Sequence, residues 1–339
     1  MHSPLALRCC KSALVANYQT LTKRAGTCTG AAIKADAYGL GAADVARILI
    51  AQGCRDFFVS TWWEASQLAF LETGMLSVLH GFGPDDEPRA GVRPVLVTPL
   101  QVARWKASAG ASEPCDVMVD TGMNRLGLAL DELGCLGGLS IHTLHSHLAC
   151  ADEDHAMNEA QLQLFQSVRQ TVGAARYSLA NSAGIYLGSD YAFDLVRPGL
   201  ALYGGIPRDL ARSEIRQVCT PCAQVIQLRQ VPKGGTVGYN ATFTASQEMR
   251  VAIINIGYAD GYRRAFSSIG SARYENARLP VLGRVSMDLV TLDATAVPGL
   301  QEGDWIDLDF DLEQASTKTG VSQYELLTGL GRRFQRSWT

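Results

Sequence analysis

No apolar run in this sequence approaches the ~18–20 residues that a membrane-spanning helix needs, and none of its charges dominates: 30 basic residues face 33 acidic ones, for a net charge of −3. That balance excludes a strongly basic nucleic-acid binder and an acidic solvating tail. The nine cysteines, an odd number without framework spacing, fit a disulfide scaffold less well than free thiols. Reduced thiols in the cytoplasm are the expectation. The opening stretch to Lys11 reads as too short and too soon charged for a secretory signal. Internal repeats and low-complexity segments are absent. What the sequence does have is length and glycine. Its 339 residues suffice for two domains, at roughly 100–200 residues each. Its 33 glycines point to tight loops or backbone-lined ligand sites.

The first two-thirds alternates short apolar runs with helical patterns. Eight candidate strands are 31–33, 57–60, 76–80, 95–97, 116–119, 143–147, 177–180 and 195–202. Runs of this kind read as buried parallel strands. Thr61 and Glu64 have the spacing of a capping box, with Gly74 as the stop. Ser12 is the expected cap of a helix through Leu14, Tyr18 and Leu21. Over 154–174, Met157, Ala160, Leu164, Val168 and Val172 define an apolar helix face. Eight strands alternating with helices predict a (β/α)8 TIM-type barrel over 1–212, against a doubly wound open sheet as the competing arrangement. From 213 to 339 the pattern becomes mainly β. Strands are expected at 222–231, 250–257, 281–285, 289–293 and 306–310, with a helix at 323–330.

The densest chemical signal is Ile33-Lys-Ala-Asp-Ala-Tyr-Gly-Leu-Gly41. A lysine ends an apolar strand, and the C-terminal ends of barrel strands hold active sites. Low-dielectric walls lower a lysine's pKa and make it an amine nucleophile able to form a Schiff base with a carbonyl or with pyridoxal phosphate. A lysine that merely caps a βα loop would show the same residues. Arg197-Pro-Gly199 follows at the eighth strand, where such barrels commonly hold a phosphate. Gly199 would let backbone N–H groups approach it, and Asn181-Ser182 could add a hydroxyl donor. Arg125, after the fifth strand, is placed to clamp a carboxylate. His145 and His147 share one face of the sixth strand without a third clear ligand, so no metal is expected. Cys219 and Cys222 have C-x-x-C spacing but no second pair, and read as packed thiols.

Taken together and in order, these segments resemble the alanine racemase family, pyridoxal-phosphate enzymes built as a barrel followed by a β domain. The resemblance covers nearly the whole chain. It implies that Lys34 carries pyridoxal 5'-phosphate, that Tyr38, Ser182 and Asn181 with the backbone at Gly199 and Leu200 hold the phosphate side, and that Arg197 faces the pyridine nitrogen with His147 nearby. Val237-Gly-Tyr-Asn-Ala-Thr242 is similar to the motif of a second base, here Tyr239. Tyr258 matches a residue of the substrate entrance, where Asp152 is also expected. Met287 matches a methionine whose N–H binds the substrate carboxylate together with Arg125. The implied activity is interconversion of L- and D-alanine by two bases, through an aldimine with pyridoxal phosphate, serving D-alanine biosynthesis. The implied assembly is a cytoplasmic homodimer with shared sites. A broader-range, serine or lysine racemase on the same fold is the alternative, and a non-catalytic pyridoxal-phosphate-binding protein the other. Two positions depart from the family. Met118 stands where a carbamylated lysine often lies beside the arginine. A buried guanidinium needs an anion, so a chloride, a carboxylate or carbonyls are expected within reach of Arg125. Arg332 stands where some members place a tyrosine that contacts the phosphate.

Overall fold

Eight short β segments with helices between them close a parallel barrel in the computed structural model, which describes residues 3–72 and 74–339. Met1 and His2, the start of the stretch considered as a leader, lie outside the described residues. The chain divides into two compact units. Leu14–Arg216 form one, and residues up to Ala13 join Gln217–Thr339 in the other. No helix of the described residues is long and apolar enough to cross a membrane.

In the barrel unit, seven strands pair in parallel and in chain order: Ala31–Ala32, Phe57–Val59, Leu76–Val78, Val92–Leu96, Cys115–Met118, Ile141–His145 and Arg176–Ser178. Leu195–Val196 pairs in parallel with Cys28–Thr29. The ring is completed by Gly30 N–H to Val196 O and Arg197 N–H to Ala180 O, both 2.9 Å. The first strand is interrupted at Gly30 because the second lies so close there. A Cβ on Gly30 would fall 2.8 Å from Asp56 O and from the Phe58 ring. The strand ends are the side on which the loops of the site emerge.

Several expectations are corrected in detail. The eighth strand stops at Val196 rather than Leu202, since Pro198 donates no N–H and Leu200–Tyr203 coil into a 3-10 turn. The capping box of Thr61 and Glu64 forms, but its helix ends at Ser66, eight residues before Gly74. Ser12 lies within the first turn of the helix Lys11–Ala25 rather than capping it. The helix Ala156–Thr171 buries Asn158, Gln161, Leu162, Phe165 and Val168, while Ala160 is exposed. The buried face is rotated because Asn158 and Gln161, although polar, hold the loop after the sixth strand by hydrogen bonds.

The second unit is a mainly antiparallel sheet built on one long strand, Cys219–Val231. It pairs with Leu5–Cys9, Met249–Ile254 and Trp305–Leu308. Leu5, Leu7 and Cys9 are buried and alternate with more exposed residues, the period of a half-buried strand. The N-terminal strand therefore belongs to this unit, and the barrel unit begins at Leu14. Gln335–Trp338 pairs in parallel with the N-terminal strand. The expected strand at 281–285 is a loop with a single bridge from Val281 to Leu292. A hairpin of Ser271–Tyr274 and Ala277–Pro280 and a helix Leu312–Thr319 capped by Asp311 complete the unit. No disulfide joins any of the nine cysteines, and Cys219 and Cys222 are both buried.

Candidate active site

Lys34 sits at the end of the first barrel strand, after Ile33, whose N–H still pairs with Phe58 O at 2.9 Å. Burial lowers its pKa first, followed by the positive charge of Arg125. Glu64 acts in the opposite direction, and Arg197 adds to the lowering. Among the described residues its amine has no hydrogen-bond partner. Burial and the neighbouring cations make this half-buried amine easier to deprotonate than a free lysine, the direction a nucleophile or base needs.

The next four residues are unusual. Ala35, Asp36, Ala37 and Tyr38 all have φ between 52° and 56°, a turn of left-handed helix. Each such residue costs roughly 1–2 kcal/mol, so the surroundings must hold it. Ala35 N–H donates to Glu64 Oε1 at 2.7 Å, and Asp36 Oδ1 accepts from Ala42 N–H at 2.7 Å. The Tyr38 ring packs on Tyr203 at 4.9 Å between centroids. The turn directs the Tyr38 hydroxyl to Gly199, where a Cβ would lie 2.4 Å from it. Gly199 and Ala201 N–H groups donate to the buried Ser182 Oγ at 2.9 and 3.2 Å. The Leu200 N–H has no acceptor among the described residues. Tyr38, Ser182 and the Leu200 N–H thus form one cradle of hydroxyls and a backbone donor, with Gly199, whose N–H is taken by Ser182, leaving no room for a side chain at its floor. Such donors suit an anion. Asn181 lies beside it, but its Oδ1 accepts from Ala183 and Gly184 N–H at 3.0 and 2.9 Å, leaving only its amide group to face a ligand.

Arg197 is buried at the base of the site. It donates to Ser178 Oγ and, at 2.6 Å, to Ser146 O. Burial brings its pKa down to about 10, against the opposing pull of Asp116, so the guanidinium remains charged at neutral pH. His147 is half-buried among Arg197, Arg125 and Lys34. Burial and then those three positive charges bring its pKa down to about 3, which leaves it neutral. Gln161 fixes its strand end: Nε2 donates to His147 O at 2.9 Å and to Thr121 Oγ1 at 3.1 Å, and Oε1 accepts from Ala149 N–H at 2.9 Å. Beneath this layer His145 is wholly buried, with Nε2 3.5 Å from Asp116 Oδ2 and its ring edge-on to Phe58. Asp116 accepts from Ser77 Oγ at 2.6 Å and Arg93 Nε at 3.3 Å. None of Glu64, Gln161 and this buried acid was expected to serve the site. The Thr61–Glu64 capping box was the one legible trace of them.

No protein group among the described residues supplies the compensation expected for Arg125. It is exposed, and no carboxylate or carbonyl of the described residues lies within hydrogen-bond reach. Met118 packs instead into an apolar cluster with Val95, Val97 and Leu79. Asp152 is exposed on a loop that Arg208 pins through Ala151 O and Glu153 O at 2.8 and 3.0 Å.

In the β unit, Tyr239 follows Gly238, whose φ is +78°, at the tip of the small hairpin Thr236–Val237 and Phe243–Thr244. Tyr258 and Met287 lie on adjoining loops: Tyr258 N–H donates to Ser286 O at 3.1 Å and Ala259 N–H to Met287 O at 3.0 Å. Gly257 permits this approach, since a Cβ there would fall 2.2 Å from Met287 O. The Met287 N–H itself has no acceptor among the described residues. Arg333 joins the two loops through a bidentate pair with the buried Asp260, at 2.6 and 2.9 Å, and through Asp288 at 2.7 Å. Arg332 is exposed.

The whole chain is matched by known proteins. The alanine racemase N-terminal domain matches residues 10–207 and the alanine racemase C-terminal domain residues 218–338. An alanine racemase of Acidiphilium cryptum is 42% identical, over 96% of both chains. A catabolic alanine racemase of Agrobacterium fabrum is also 42% identical, over 96% of this chain and 90% of its own. Among solved structures, alanine racemase from Bartonella henselae with covalently bound pyridoxal phosphate superposes with a TM-score of 0.91 at 36% identity, over the full length of both. With both domain models matched and relatives at this identity along its length, the chain belongs to the alanine racemase family.

Proposed function

We propose that this protein is an alanine racemase that interconverts L- and D-alanine with pyridoxal 5'-phosphate. The observation that carries the reading is the grouping at one barrel mouth of a half-buried amine of lowered pKa, Lys34, a buried guanidinium, Arg197, and the side-chain-free cradle at Gly199. That set fits the cofactor's three demands: an amine to link it, a cation opposite its ring nitrogen, and donors for its phosphate. Tyr38, Ser182 and Leu200 N–H, with the Asn181 amide, would hold the phosphate side, and His147 would stand near Arg197. When bound, pyridoxal phosphate spreads the charge left by loss of the substrate's α-proton into its ring. Arg197, charged at neutral pH, would face the ring nitrogen with a donor that does not give up its proton, which would make the group a weaker sink and disfavour transamination.

Inversion then needs a proton removed from one face and returned to the other. Lys34 Nζ is the base for D-alanine and Tyr239 Oη the base for L-alanine. The Met287 N–H and the Arg125 guanidinium hold the substrate carboxylate, and Tyr258 and Asp152 line the way in. Tyr239 and Met287 are 65% and 54% exposed in the single chain. That exposure suits side chains that complete a site in a second copy, so we infer a homodimer with shared sites. We place the reaction in the cytoplasm, on cysteine usage, as a source of D-alanine.

The test is a chiral assay of the purified protein with added cofactor. L-alanine should be converted to an equal mixture of enantiomers, and Lys34→Ala should abolish conversion together with the visible absorption of the bound cofactor. Faster racemisation of serine or lysine than of alanine would replace the substrate assignment. Binding of the cofactor without conversion of any amino acid would overturn the enzymatic reading.

A further inference from the structure

We propose that Glu64 is a positioning residue for Lys34: its carboxylate gathers three backbone N–H groups from two barrel loops and so holds the left-handed turn that aims the lysine. The inference rests on the reading of Lys34 as the reacting amine. Glu64 Oε1 accepts from Ala35 N–H at 2.7 Å, and Oε2 from Ser60 N–H at 2.6 Å and Thr61 N–H at 3.2 Å. Ala35 follows the first barrel strand, whereas Ser60 and Thr61 follow the second. One side chain therefore ties the exits of two neighbouring strands.

A helix cap needs only the Ser60–Thr61 side of this arrangement, which Thr61 Oγ1 completes by accepting from Glu64 N–H at 3.1 Å. The bond to Ala35 does something else. It fixes the first of four residues in a conformation that L-residues avoid, immediately after Lys34. Without it the turn can relax toward ordinary φ values, and both the Lys34 side chain before it and the Tyr38 hydroxyl after it swing away from the cradle. The carboxylate is also the negative charge acting on the lysine, against Arg125 and Arg197, with His147 neutral beside them. It thereby offsets part of the cationic crowding around an amine that must both link the cofactor and carry a proton.

The experiment compares three full-length variants loaded with cofactor. Glu64→Gln keeps the shape and removes the charge. Glu64→Asp keeps the charge but is one methylene short of Ala35. Thr61→Ala removes the helix cap alone. Two quantities are measured: kcat and KM for L-alanine, and hydrogen–deuterium exchange of the peptide covering residues 34–41. Both Glu64 variants should lose about tenfold or more in kcat, the scale of an ångström-sized misplacement of a reacting group, with KM within about threefold. Exchange in the 34–41 peptide should quicken in both. Thr61→Ala should retain kcat and the exchange of that peptide while unfolding at a lower temperature. If a Glu64 variant matches Thr61→Ala in either quantity, Glu64 is only a helix cap and the proposal fails. If one Glu64 variant does not fold, the other decides by the same comparison. A Lys34→Ala enzyme that still racemised alanine would defeat the underlying reading instead, and the exchange data would then stand apart from it.

Discussion

His145 shows how much a single buried side chain couples the site to the fold. It is fully enclosed, and burial brings its pKa down to about 4 from the usual 6.5, in spite of Asp116 alongside. Between those values the unfolded chain binds a proton that the folded one refuses, so stability rises with pH across the window and is lost as pH falls from about 6.5 to 4. At about 1.4 kcal/mol per pH unit, this one group accounts for about 3 kcal/mol. His145→Gln should flatten that slope in a series of urea denaturation midpoints. A mutant with the wild-type slope would assign the acid sensitivity elsewhere. Asp116 acts in a separate window: burial pushes its carboxyl up, but Arg93 and its histidine neighbours overcome that and hold it well below the ordinary value, so its contribution is lost only at lower pH. Arg197 and His147 stand above this layer and share its logic. Charge is tolerated in the barrel where a partner or a neighbouring carbonyl answers it.

At the scale of elements, the proposed chemistry sits on loops rather than strands, and several of these loops are held by a polar side chain from another segment. Gln161, on the helix Ala156–Thr171, is the clearest case, with bonds to Thr121, His147 O and Ala149 N–H. Gln161→Leu leaves these groups unpaired. It should lower stability by about 1–3 kcal/mol and reduce kcat/KM about tenfold through a loosened His147. Loss of stability with unchanged kcat/KM would mean that the histidine's position does not depend on it. The same contrast explains what could be read from the sequence. The run Phe57–Val59 announces itself, because buried parallel strands are short and mostly hydrophobic, and Cys115–Met118 reads as a strand in spite of its buried Asp116. Lys34, Arg197 and Gly199 were legible because their chemistry is concentrated in short words at strand ends. The left-handed turn at Ala35–Tyr38 was not, since only Gly39 and Gly41 around it hint at positive φ. Asn158 and Gln161 lay outside the expected apolar face, because nothing local records that their amides meet the loop after the sixth strand. Leu5–Cys9 was missed because its partners are more than 200 residues away.

At the scale of the whole molecule, the proposed reaction draws on both units: Lys34 and Arg197 from the barrel, Tyr239 and Met287 from the β unit. In a homodimer with shared sites, mixing inactive Lys34→Ala with inactive Tyr239→Phe and allowing subunits to exchange should restore activity. One hybrid site then regains both bases. An enzyme fully active as a monomer, or a mixture that stays inactive after exchange is confirmed, would refute shared sites while leaving the chemistry intact. The chemistry itself is tested most directly by following incorporation of deuterium from heavy water at the α-carbon of each enantiomer separately, in the wild type and in Tyr239→Phe. The account predicts that the variant loses exchange from L-alanine and retains part of the exchange from D-alanine, because Lys34 still serves that face. Equal loss from both enantiomers would contradict a two-base racemase with Lys34 and Tyr239 on opposite faces.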